Sequence, residues 1–185
     1  MNINNQFIQL INWEEYPELC SSCGAFCVKY WQWHSGIEDF RTVNQKNAVL
    51  DVYSRIKFGS SGEKILINPE MNNPNGSNPF LICRECSGSY IYYDAQNEYV
   101  ASLVKPMSAQ FPDITVKEEK LDIGAGKYAI LMVDDHYILI YRSSEDKYYY
   151  HDPLKPAPLP LKSGIPILWD SIGDFRYTGA GIILP

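Results

Sequence analysis

"YAILMVDDHYILIYRSSEDKYYYHDP" covers residues 128–153, and the fold turns on how it is read. Three short runs rich in Ile, Leu, Val and Tyr are separated by polar breaks, "VDDH" between the first two and "SSEDK" before "YYYHD". β-Branched and aromatic residues suit a pleated, half-buried surface, so short runs with abrupt breaks predict antiparallel strands. Downstream, the proline-rich "KPAPLPLKSGIP" (155–166) reads as an extended loop, and "GAGIILP" (179–185) as one last strand.

Upstream, the periodicity changes. In "CGAFCVKYWQWHSG" (23–36), Ala25, Val28 and Trp31, or Phe26, Tyr30 and Trp33, recur at the three-to-four spacing of a buried helix. Ser21 and Ser22 stand where an N-cap belongs, and Gly36 is a natural stop. A partly amphipathic segment over 7–19 is interrupted at Pro17, a second helix is expected over 42–58, and "NPEMNNPNGSNP" (68–79) is too rich in turn residues for regular structure. Helices first and antiparallel strands afterwards define an α+β domain. We expect one domain over 1–185, its helical half about 1–125 and its β half about 126–185.

Composition narrows the function classes. A formal net charge of −6 argues against nucleic-acid binding, which asks for a basic face. No stretch approaches the ~18 apolar residues of a membrane span. "MNINNQFIQLINWEE" carries neither a basic n-region nor a small-residue cleavage site, so the expectation is a cytoplasmic protein, or export by a signal-independent route. Five cysteines, an odd number, then point to reduced thiols rather than a disulfide framework.

A thiol in the first turn of a helix meets free amides and the positive end of the helix dipole, both of which favour an anion. With Ser22 as cap, Cys23 takes that place. A thiol nucleophile needs a base, and the base needs a group that orients it. His136 opens a strand after a tight turn, and Asp152 ends the next strand. A turn centred on Ser144 would set these two directly opposite each other on one sheet face.

These residues resemble papain-like cysteine peptidases, particularly the double-glycine leader peptidases. "CGAFCVKYWQWHSG" is similar to their nucleophile helix, "HYILIYRSSEDKYYYHDP" to their histidine strand and the strand ending in Asp-Pro, and "WDSIGDFRYTGAGIIL" to their closing segment. The likeness lies at both ends of the chain and is weak over roughly 40–125. It implies a papain-like fold, a nucleophile helix packed on a C-terminal antiparallel sheet, and a thiol hydrolase acting on a peptide or side-chain amide. By the same resemblance Cys23 is the nucleophile, His136 the base and Asp152 the orienting acid, with a protein or peptide substrate and no cofactor.

One position departs from the pattern. The family's oxyanion-donating Gln, six residues before the nucleophile, is Pro17 here, and the nearest upstream amides, Gln9 and Asn12, lack the spacing. Papain-fold effectors that deamidate glutamine are also similar. In some of those the first Cys of a Cys-x-x-Cys is the nucleophile, which here would be Cys20.

The competing reading is zinc. "CSSC" (20–23) and "CREC" (83–86) have the spacing of two knuckles, and Cys20, Cys23, Cys83 and Cys86 would complete a closed four-thiolate site in a binding module. That site would consume Cys23 and leave the His136–Asp152 hairpin without a role, so we rank it second. The remaining candidates read as structural. Cys27 is a small core residue, His34 a helix-terminus residue, and Asp134 and Asp135 make the turn. Trp31, Trp33 and the "YYYH" aromatics pack, and alternation sends His151 to the face opposite Asp152.

Overall fold

The computed structural model describes residues 21–39, 41–57, 76–88, 90–134, 136–155, 159–161, 171–172 and 174–185. Among these lie four helices: α1 (Cys23–His34), α2 (Gln45–Ile56), α3 (Pro79–Glu85) and α4 (Glu98–Ser108). The strands are β1 (Tyr90–Tyr93), β2 (Thr115–Lys117), β3 (Tyr128–Val133), β4 (His136–Arg142), β5 (Tyr148–His151), β6 (Leu159–Leu161), β7 (Ser171–Ile172) and β8 (Phe175–Ile183). They form one mixed sheet in the order β2-β1-β8-β3-β4-β5-β6, with β7 attached to β8. Only β1 and β2 run parallel. The architecture is α+β.

α1 is the centre of the fold. Gly24 through Trp31 and Trp33 are all buried, so both apolar stripes of the helix are covered rather than one. It packs between α2 and α3 on one side and β3 and β4 on the other. The buried Lys29 within it is paired with Glu38 at 2.8 Å, and the Trp33 indole N–H donates to the same carboxylate oxygen at 2.9 Å. The chain leaves the helix through Gly36 at φ +74°, a conformation that favours glycine.

The sheet is covered on both faces, which its alternation records. Tyr128, Ile130 and Met132 of β3 pack with the helices, whereas Ala129, Leu131 and Val133 join a second cluster with Leu121, Ile123, Ile138 and Tyr177.

Several sequence expectations are corrected. The loop read over 68–79 ends earlier: the Asn78 side chain accepts the Phe80 N–H, and Pro79 opens α3 where its missing N–H costs nothing. The segment expected to be helical up to 125 also contributes β1 and β2 to the sheet. Within 155–166, residues 159–161 form strand β6 beside β5. The last strand begins at Phe175 rather than 179 and lies between β1 and β3. The segment 7–19 falls outside the described residues.

The β4–β5 register also differs. Leu139 pairs with His151 and Arg142 with Tyr148, so Asp152 is two residues short of a position directly opposite His136. The turn is longer than expected: the Ser143 N–H donates to the Lys147 carbonyl at 2.8 Å, with Asp146 at φ +58° inside it. A slip of two residues keeps every side chain on its face, whereas a slip of one would have reversed them.

Candidate active site

Cys23 is the first residue of α1 and partly exposed. The first intrahelical bond runs from the Phe26 N–H to the Ser22 carbonyl at 3.0 Å. Ser22 is the N-cap, but its hydroxyl does not bond to the first-turn amides. The N–H groups of Cys23, Gly24 and Ala25 therefore have no acceptor within the helix and face the end where the thiol sits.

Gly24 lets this end approach the rest of the protein. A Cβ there would lie 2.7 Å from Ile82 Cδ1 and 2.9 Å from both Cβ and Oγ of Ser77. Ser77 has little room to retreat: its carbonyl accepts the Tyr137 hydroxyl at 3.1 Å, and its own hydroxyl donates to the Ser21 carbonyl at 3.3 Å. Gly24→Ala, ordinarily stabilising in a helix, is expected to cost about 1–3 kcal/mol here by overpacking. Urea denaturation of the two chains checks this; an unchanged midpoint would mean that the contact yields freely.

The other two side chains meet at the same end. His136 Nε2 and Asp152 Oδ1 are 2.9 Å apart, and both residues are buried. The Cys23 side chain lies near enough to the same imidazole to favour its charged form, and with Nε2 held by Asp152 the nitrogen left for it is Nδ1. Burial by itself pushes the imidazole pKa down. The hydrogen bond to Asp152 and the neighbouring Cys23 side chain outweigh it and hold the ring at about 9. Burial likewise raises the Asp152 carboxyl, and the bonds from His136 and from the Leu154 N–H bring it below the usual value. Asp152 thus starts its own turn, with Leu154 N–H 2.9 Å from Oδ1, and partners His136 through the same oxygen.

The other candidates fall elsewhere. Among the described cysteines Cys23 alone is not buried. Burial raises the Cys27 and Cys86 thiols well above their ordinary values and takes Cys83 to about 12. Cys20, Pro17, Gln9, Asn12 and Asp135 lie outside the described residues. Among the described residues no three His, Cys, Asp or Glu side chains converge as metal ligands. His151 is stacked on Tyr30 of α1, with centroids 3.9 Å apart and planes 1° from parallel, and His34 meets it edge-on at 6.3 Å.

Two features of the site escaped the sequence analysis, and only the second left any trace in the sequence. The Phe175 ring lies 4.7 Å from that of His136, tilted by 30°. β8 carries a bulge at this end: Met132 pairs with Ala180 but Val133 with Tyr177, and the intervening Gly179 has φ +82°. The bulge re-aims the start of β8 toward His136. Only "GAG" hinted at it.

No protein-family model, no curated protein and no solved structure matches the chain.

Proposed function

We propose that the protein is a thiol hydrolase of papain-like architecture, acting on a peptide bond or a side-chain amide of a protein substrate. One observation carries this reading: the His136 imidazole is hydrogen-bonded to the buried Asp152 and is also influenced by the side chain of Cys23, which stands at the N-terminus of a buried helix. A helix presenting a cysteine to the end of the strand that opens with His136 is the arrangement the family resemblance calls for.

In this reading the proton of Cys23 already resides on His136, and Cys23 Sγ bonds as the thiolate to the amide carbon while the carbonyl π electrons move onto oxygen. The Cys23 N–H is one donor toward that oxygen. Collapse breaks the C–N bond, and the departing nitrogen takes the proton from His136. A peptide bond releases an amine and a side-chain amide releases ammonia. Water then attacks the thioester, giving a proton to His136, and the C–S bond breaks to return the thiolate beside the imidazolium. Asp152 holds the ring in the tautomer that leaves Nδ1 facing the thiol and stabilises the imidazolium.

The test is alkylation with iodoacetamide, followed by peptide mapping and by metal analysis of the same sample. Cys23 is expected to react first and the buried Cys27, Cys83 and Cys86 last, with Cys23→Ala removing the fast phase and leaving the fold intact. Fast labelling of Cys20 with an inert Cys23 would transfer the role to Cys20. Stoichiometric zinc protecting Cys20, Cys23, Cys83 and Cys86 would replace the hydrolase by the zinc-stabilised binding module.

A further inference from the structure

Asp134 does more than a turn requires. It sits between β3 and β4 at φ +43°, and a tight hairpin asks nothing beyond that backbone conformation. Yet its N–H donates to the Arg176 carbonyl at 3.0 Å, and its Oδ2 accepts the Arg176 N–H at 2.8 Å. Its Oδ1 also lies 3.6 Å from Arg176 Nε. These contacts tie the turn that precedes His136 to the start of β8. The residue before Arg176 is Phe175, whose ring lies 4.7 Å from the His136 ring. One carboxylate therefore joins the two chain segments that carry this ring pair.

We infer that Asp134 is a positioning residue: by clamping the start of β8 to the β3–β4 turn it seats Phe175 against the His136 imidazole, and so fixes the ring plane in which His136 meets Cys23 and Asp152. The physical need is clear. Rotation about the Cβ–Cγ bond of histidine is soft, and a single bond from Nε2 to Asp152 still lets the ring pivot about it. An aromatic ring in contact at 4.7 Å, tilted by 30°, removes that freedom. The inference rests on the proposed roles of Cys23 and His136.

The test uses the full chain and two readouts. One is the rate of Cys23 alkylation by iodoacetamide. The other is the proton NMR signal of the His136 ring N–H bonded to Asp152, visible only while exchange with water is slow. Asp134→Gly keeps the left-handed backbone at no steric cost and removes the carboxylate. Asp134→Asn keeps both that tolerance and a side-chain oxygen. We expect the glycine chain to lose roughly three- to tenfold in alkylation rate, the scale of one aromatic pair, and to lose the ring-proton signal. The asparagine chain should retain both. Phe175→Ala should match the glycine chain, and the double variant should be no worse than either, because both act through one contact.

A wild-type rate and signal in Asp134→Gly would overturn the inference, as would equal impairment of Asp134→Asn or full additivity in the double variant. Near-UV circular dichroism checks folding. Should the glycine chain unfold, Phe175→Ala carries the same expectation and decides alone. His136→Ala separates the two readings: if it leaves Cys23 alkylation unchanged, the base assignment fails, and the ring-proton signal still decides whether Asp134 orients His136.

Discussion

Replacing His136 by alanine is expected to slow alkylation of Cys23, and any amide hydrolysis, by about 10²–10⁴-fold at neutral pH, the usual scale for removing a positioned general base. The magnitude follows from geometry. His136 is the ring beside the Cys23 side chain, and Asp152 holds its Nε2. Asp152→Ala should act in the same direction with a second consequence, since it strands a buried imidazole without its partner. Breaking a buried pair from one side costs about 3–5 kcal/mol. Linkage adds a sign. Because the folded His136 titrates at about 9, above its unfolded value, its stabilising contribution is complete below the unfolded value and is lost as the pH rises through about 9. Urea midpoints of the parent and Asp152→Ala should therefore converge at alkaline pH. A constant gap between pH 7 and 10 would place the stabilisation elsewhere.

The second large effect lies on the acid side, in residues outside the proposed chemistry. His34, the last residue of α1, meets His151 edge-on, and among the described residues neither His34 Nε2 nor either ring nitrogen of His151 has a hydrogen-bond partner. Burial pushes His34 down to about 4 and His151 down to about 3. The unfolded chain therefore binds protons that the folded chain refuses. The stabilisation is complete above the unfolded histidine value and drains away as the pH falls toward those lowered values. By pH 4.5 each ring accounts for about 2–3 kcal/mol, on the order of 5 kcal/mol together. Asp152, whose folded value is depressed, loses its contribution only below the ordinary carboxylate range, and His136, whose contribution becomes complete as the pH falls through its unfolded value, opposes the fall only slightly. Urea titrations between pH 7 and 4.5 should show a steep fall that His151→Phe reduces by about half. A flat profile in the parent would mean that the two rings take up protons without leaving their sites.

Local chemistry made part of this legible in advance. The three-to-four spacing of apolar residues after Ser22 marks α1, because a helix buried on all sides must be apolar on all sides. The Ile-, Leu- and Tyr-rich runs from 128 mark β3, β4 and β5 because polar turns interrupt them. Cys23 at the head of the helix and His136 at the head of a strand follow directly from those boundaries. The same reading failed at β1, β2 and α3, which are short and depend on neighbours. β1 pairs with β2 and β8, partners at least two dozen residues away, and no local pattern encodes such a pairing.

What the sequence by itself determined is the identity and parity of the elements: which residues head the helix and the strand, and which face each side chain takes, since both periodicities are local backbone properties. What only the tertiary structure decided is position along and between them. The β4–β5 turn chose a register two residues from the expected one, the β8 bulge turned Phe175 onto His136, and Gly24 let the helix end close on Ser77. Each of these depends on contacts between residues distant in the chain, whose energies sum only once the whole core is packed.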